Sequence, residues 1–341
     1  MPTVSAVAAR DGIGPGPVGL RRYAWGVVGY NVLVILWGAL VRATGSGAGC
    51  GNHWPLCNGQ VIPLSPRVDT VIEFTHRCMT GGATFVVIGL LVWTLRGMVK
   101  GQAARVFAAI SVGLLLNEAL LGALLVKLGY VTGNQSAGRV VMLSIHLSNT
   151  LLLLGALTLT ARMVATGQQW RELWGSGRRM GLVVLGLVAT LEVGVSGSLA
   201  ALGDTLFPAT TLRGAFAQDF AAGSPWLLRL RWVHPASAVL AVVFVVWILQ
   251  RARRQGVEWR WVAGLLGMQF LLGGADILLL APTWMQIVHL LGADLYWISL
   301  VVVSAQALWP VETTAGATRS SLLPWREAEQ AGPTVIVGPA S

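Results

Sequence analysis

Apolar residues run through the chain in long blocks, each broken by a short polar or basic stretch. Eight blocks approach or exceed the roughly 20 residues a helix needs to cross a bilayer. They span 23–43, 70–95, 106–127, 140–164, 180–202, 229–250, 260–281 and 284–309. This pattern predicts an all-α integral membrane protein with eight transmembrane helices. Residues 1–22 hold Pro, Gly and three Arg without an apolar core, and read as a cytoplasmic tail. The first helix has no convincing cleavage site after it. Residues 311–341 lose the periodicity and carry Ser, Pro and charge, which reads as a mobile cytoplasmic tail.

Composition agrees with the pattern. Of 341 residues, 55% are hydrophobic and 11% charged, and the mean hydropathy is +0.67. Soluble domains carry about 25% charged residues. The formal net charge of +10 would suggest a nucleic-acid partner in a soluble protein. Here the basic residues sit in short loops, with no aromatic–basic interleaving, so the expected surroundings are membrane lipid and not nucleic acid. Sixteen of the 24 Lys and Arg fall in the tails and even-numbered loops, and seven at the odd-numbered loops. The positive-inside rule then puts both termini in the cytoplasm and the odd-numbered loops outside.

The two halves of the chain resemble one another. The third helix carries Glu118-Ala-Leu-Leu-Gly122, and the seventh carries Gln269-Phe-Leu-Leu-Gly273. His76 corresponds to His234, His146 to His289, and Gly38 to Gly194. Both halves start on the same side, so the repeat is parallel, with its axis near the membrane normal. Two pseudo-symmetric four-helix bundles are expected, over 23–165 and 180–310, joined by a cytoplasmic linker at 166–179.

Four of the five His lie one per helix, in the second, fourth, sixth and eighth helices. Each sits a few residues in from the outer side, roughly 8–10 Å deep at the helical rise. A lone membrane His can simply hydrogen-bond between helices. Four at matched depth, paired by a repeat, point instead to bis-imidazole haem ligation across a bundle core. A zinc site would want more ligands per pair. Gly122 and Gly273 would let a flat macrocycle come close to their helices, or would serve helix packing.

The halves differ three residues before the first His of each. That position is Glu73 ahead of His76 and Arg231 ahead of His234, on the same helix face in each case. An ionisable group at membrane depth costs about 2.5–3.5 kcal/mol on insertion scales, so Glu73 calls for a reason. It is either the i,i+4 partner of Arg77 or a group that does chemistry beside the haem. Arg229 and Arg231 are candidate contacts for haem propionates, or ordinary charge at a membrane boundary.

The first outer loop reads VRATGSGAGCGNHWPLCNGQVIP. Cys50 and Cys57 lie on the oxidising side, which favours a disulfide, either structural or redox-active. His53 between them reads as an exposed loop residue, and Cys78 as a thiol packed in the second helix. The corresponding loop of the second half, LGDTLFPATTLRG, has no Cys.

LVRATGSGAGCGNHWPLCNGQ followed by IEFTHR resembles the haem A synthase family, as does GADILLLAPTWMQIVHLLGADLYWISL near the C-terminus. The resemblance runs from about 25 to 310. It implies an oxidoreductase acting on a methyl group, in a bacterial-type cell (inner) membrane with its haem sites near the outer face. The N-terminal bundle would hold the substrate haem O between His76 and His146. The C-terminal bundle would hold a haem b cofactor on His234 and His289. The reaction would oxidise the C8 methyl of haem O to a formyl group by successive hydroxylations. Glu73 would act as proton acceptor or as the group stabilising positive character at the reacting methyl. Haem O synthase, cytochrome c oxidase assembly factors and an unidentified electron acceptor are the partners implied. Three positions depart from the family pattern: His53 where Asp is common, Glu118 where Gln is common, and Asp276 where Asn is common. The competing readings are a bis-His transmembrane electron-transfer cytochrome b and a non-catalytic haem carrier or assembly factor. Neither has a use for Glu73 or for a one-sided Cys pair.

Overall fold

The computed structural model describes residues 14–64, 66–174 and 177–310. The chain is helical, and eight helices are long and apolar enough to cross a membrane. In chain order the helices are α1 (Val18–Ala43), α2 (Val68–Gly97), α3 (Ala103–Lys127), α4 (Ala137–Thr166) and α5 (Gly177–Leu206). There follow the short α6 (Leu212–Phe220), then α7 (Trp226–Arg254), α8 (Arg260–Leu278) and α9 (Thr283–Leu308). All but α6 are candidate spans. Large apolar side chains such as Phe85, Leu240, Trp261 and Leu271 point outward. Such an apolar surface suits contact with lipid rather than water.

Most of the helices run longer than the hydropathy blocks because their ends carry polar and basic residues. The first starts at Val18, inside the stretch expected to be tail. Most of that tail, and all of the C-terminal one, lies outside the described residues. The seventh span ends at Leu278, three residues before the expected 281. Leu280 and Ala281 have φ of 62° and 50°, a left-handed pair that turns the chain before Pro282. In the fifth loop, Thr211 accepts the backbone N–H of Gly214 at 3.1 Å and caps α6, which hydropathy alone did not reveal.

Helix α1 packs on α2 and α4, and α3 packs on α2 and α4. In the second half, α5 packs on α7, while α9 touches α5, α7 and α8. Contacts between the halves run through α4 against α5 and α9, and α1 against α5 and α9.

The α1–α2 seam shows how sequence sets register. Tyr23, Tyr30 and Trp37 recur every seven residues and so share one face of α1. Their polar tips donate to the carbonyls of Val86, Met79 and Ile72 on the antiparallel α2, at 2.9, 3.0 and 3.0 Å. Gly82 and Gly89 leave space for the two Tyr hydroxyls. Small residues that admit a neighbour this closely are the usual basis of helix packing in lipid.

Polar ties join the halves, among them Arg162 Nη2 donating to the Trp309 carbonyl at 3.4 Å; two others link spanning helices. Trp297 on α9 donates from Nε1 to the Leu151 carbonyl on α4 at 2.9 Å, and its ring lies over Gly155. Arg42 at the end of α1 donates to the Ala201 carbonyl (2.8 Å) and Thr205 Oγ1 (3.0 Å) on α5, and to Gln286 Oε1 (2.9 Å) on α9. One guanidinium thus holds three helices. Unpairing a buried polar partner costs about 1–3 kcal/mol. Arg42→Met keeps the length but removes every donor, and should lower the thermal unfolding midpoint of the detergent-solubilised protein by several degrees. An unchanged midpoint would mean the tie carries no net stability.

Candidate functional site

All four spanning His lie within the first three turns of their helices: His76 in α2, His146 in α4, His234 in α7 and His289 in α9. Each ring is half-buried, and each lies against a glycine of the preceding candidate span. A Cβ built on Gly38 would stand 3.1 Å from the His76 ring, and one on Gly122 3.9 Å from His146. On Gly197 it would stand 2.9 Å from His234, and on Gly273 3.4 Å from His289. The expected pairing of Gly38 with Gly194 is therefore shifted by one turn. Gly194 faces Leu151 of the other half, and Gly197 carries the histidine. Gly122 and Gly273 likewise receive imidazole rings.

The His234 and His289 ring centres are 6.2 Å apart, with planes at 79°. Imidazole nitrogen binds a metal at about 2.0–2.1 Å, and the ring centre lies about 1 Å further, so one metal between two rings needs centres roughly 6 Å apart. The pair fits that requirement. His234 Nδ1 lies 3.0 Å from the Val193 carbonyl and 3.5 Å from Ser196 Oγ. A ring held through Nδ1 offers Nε2 to a metal. Glu118 Oε1 is 3.5 Å from His146 Nδ1. The residues present suit a bis-imidazole haem iron at the second pair.

Glu73 is buried, at 4% exposure, and both of its oxygens are engaged. Oε1 accepts from Arg77 Nη2 at 2.5 Å and Nε at 3.1 Å; Oε2 accepts the backbone N–H of Cys50 at 2.8 Å. Arg77 Nη1 also donates to the carbonyls of His53 (2.7 Å) and Leu56 (2.8 Å). Cys50 and Cys57 form a disulfide and are both buried. The Glu73–Arg77 pair therefore grips the bridged loop from beneath. Thr70 Oγ1 adds a bond to the Gly49 carbonyl at 2.8 Å. The i,i+4 pairing with Arg77, one of the two roles the sequence leaves open for Glu73, is present; its hold on the loop was not legible. The His53 side chain is exposed, as expected. Cys78 instead faces outward, where α2 meets lipid, because its helix face opposes the one carrying Glu73 and His76.

The corresponding place in the second half is built from different charges. Arg231 Nε lies 2.9 Å from Asp204, and Nη1 donates to Asp219 Oδ1 at 3.2 Å. Nη2 donates to the Gly203 and Phe207 carbonyls at 3.0 and 2.9 Å. Arg231 thus fastens α5 and α6 to the start of α7, while Arg229 is exposed. The two carboxylate partners lie near the end of α5 and in α6 and were not singled out from sequence.

The profile of the cytochrome oxidase assembly protein family matches residues 21–301. A Thermus thermophilus protein named protoheme IX farnesyltransferase is 45% identical over 295 residues, covering 85% of this chain and 48% of that protein. The chain thus spans about half the length of that relative. A heme A synthase of Bacillus licheniformis is 29% identical over 252 residues, covering 69% of this chain and 78% of that protein. A heme A synthase of Shouchella clausii is 49% identical over 92 residues, 27% of this chain and 31% of that protein. A match that takes in all or part of each of the eight candidate spans, with the four histidines and the bridged loop inside it, shows that the chain belongs to the cytochrome oxidase assembly protein family.

Proposed function

We propose that this chain is a haem A synthase, a membrane oxidoreductase that converts the C8 methyl of haem O to a formyl group by successive hydroxylations. The observation that carries the reading is the asymmetry between two similar imidazole pairs. Next to His76 a buried carboxylate is locked to a disulfide-bridged loop, whereas next to His234 an arginine is neutralised by two aspartates. A relay carrying two equivalent haems gives no reason for that difference. A chain with one substrate haem and one resident haem does.

In this reading the chain forms two four-helix units, 23–165 and 180–310, with both termini cytoplasmic and the histidines near the outer face. His76 and His146 hold haem O by its iron and present its rim to Glu73. His234 and His289 hold haem b, which would supply one-electron chemistry and pass electrons to an external acceptor. Arg229 is the freer of the two arginines to meet a propionate, since Arg231 already has four acceptors about it. An ionised carboxylate has about four lone-pair sites. Three on Glu73 are taken by Arg77 and Cys50, so one stays available toward the substrate. That suits a fixed charge that stabilises positive character at the reacting methyl, or a base with one open position. The name of the Thermus relative points to a farnesyltransferase as the natural supplier, since farnesylated haem is what this chain would receive.

Expression beside a haem O synthase, in a host without haem A, tests the reading by chromatography of the extracted haems. Haem A or a hydroxylated haem O should appear; their absence from a folded preparation would leave a carrier or an electron relay. Glu73→Gln should keep both haem spectra and lower turnover about 100-fold or more, the scale of a lost base or a lost charge stabiliser. Haem O or a hydroxylated intermediate should then accumulate, and full activity would remove Glu73 from the mechanism. His234→Ala and His289→Ala should each abolish the low-spin haem b spectrum. A spectrum intact in both would reverse the assignment of the two halves.

A further inference from the structure

One polar cluster beside the first histidine pair has no counterpart at the second. Glu118 on α3 reaches into the α3–α4 seam. Its Oε2 accepts from Asn149 Nδ2 at 2.6 Å, and its Oε1 accepts from the Thr150 hydroxyl. Asn149 is itself fixed, with Nδ2 also donating to the Leu114 carbonyl at 2.9 Å and Oδ1 accepting from Asn117 at 2.8 Å. Asn149 and Thr150 lie three and four residues after His146, on the same face of α4. The carboxylate is therefore held from two sides, with Oε1 aimed at His146 Nδ1, 3.5 Å away. That nitrogen is buried and has no hydrogen-bond partner among the described residues. A shift of about half an ångström brings the two atoms to hydrogen-bond length.

The second half answers differently at each position. Gln269 stands where Glu118 does, and Gly292 and Ala293 follow His289 where Asn149 and Thr150 follow His146. A Cβ on Gly292 would lie 2.2 Å from Gln269 Nε2, so the amide is packed on bare backbone. His289 Nδ1 has no hydrogen-bond partner among the described residues.

We propose that Glu118 is the positioning residue of the substrate site. It accepts the Nδ1–H of His146, fixes the tautomer that leaves Nε2 for the iron, and strengthens that nitrogen as a donor. A carboxylate behind a ligating imidazole is a recurrent outer-shell arrangement, and its loss costs about 10–100-fold in metal affinity or activity. An imidazole with a stronger donor nitrogen favours the ferric iron over the ferrous. The haem on His146 is therefore held more oxidised than it would be on a ligand like His289. The inference rests on the reading of His146 as a haem ligand.

The test uses full-length protein carrying only its resident haem b, titrated with haem O. Glu118→Gln should weaken haem O binding about 10–100-fold. It should also raise the midpoint potential of the added haem and shift its ferric low-spin EPR g values, with the resident haem signals unchanged. Thr150→Val, which removes one tether of the carboxylate, should move the same three readouts the same way by less. The resident spectrum reports folding in both variants. Unaltered affinity, potential and g values in Glu118→Gln, alongside loss of haem O binding in His146→Ala, would overturn the role of Glu118 alone. Unaltered haem O binding in His146→Ala would overturn the underlying assignment of the site.

Discussion

An imidazole ring buried in a helix bundle needs room on the neighbouring helix, and a position without a side chain supplies it. Each of the four intramembrane histidines has that room against a glycine of the preceding candidate span. Where the built Cβ falls near 3 Å, as at Gly38 and Gly197, any larger residue must displace the ring. The rest of the architecture serves this placement. On the α1–α2 seam, hydroxyl and indole donors spaced by seven fix the axial register. Gly38, next to the last of them, is thereby brought level with His76. Slippage of α1 by one turn would break three hydrogen bonds in a medium that offers no replacement, and would put a side chain against the ring.

The eight spans and the histidines were legible in the sequence because both signals are local: block length, and a polar residue inside a block. What was not legible depends on which residues meet across helices. Gly194 and Gly197 are one turn apart, and the motif alone does not say which one faces His234. Arg42 looked like boundary charge, yet its three acceptors come from helices about 160 and 240 residues further along. The α6 helix is short and carries Arg213, Gln218 and Asp219, so hydropathy passes over it. Glu118 was visible as a departure from a pattern, but its partners Asn149 and Thr150 belong to another helix and become meaningful only once α3 and α4 are packed.

The two histidine pairs have different surroundings. Around His234 the Nδ1 partner is a backbone carbonyl, and the nearby arginine is compensated by Asp204 and Asp219. Such surroundings hold the ring in place. Around His76 and His146 the surroundings include two carboxylates, each held by donors of its own. Burying ionisable side chains costs free energy that hydrophobic residues of similar shape would avoid. The second half buries Asp219 and Asp294 as well, so what sets the first half apart is that its carboxylates stand beside the histidines, Glu73 three residues before His76 and Glu118 3.5 Å from His146.

Glu73 also links the loop to the site. One of its oxygens is held by Arg77 and the other by the backbone of Cys50, so the carboxylate takes its orientation partly from a loop that begins outside the helix. Arg77 closes the circuit by binding the carbonyls of His53 and Leu56 inside the span bridged by Cys50 and Cys57. A carboxylate held only by its i,i+4 arginine would follow two flexible side chains. Tied also to main chain in a covalently closed loop, it has one position relative to His76, three residues away on the same helix. In the proposed reaction a single methyl group of a bound macrocycle must be distinguished from its neighbours. Fixing the carboxylate from the loop side and the iron from the histidine side would set the separation of the two groups, and the rotation of the macrocycle within the site would then decide which edge meets Glu73.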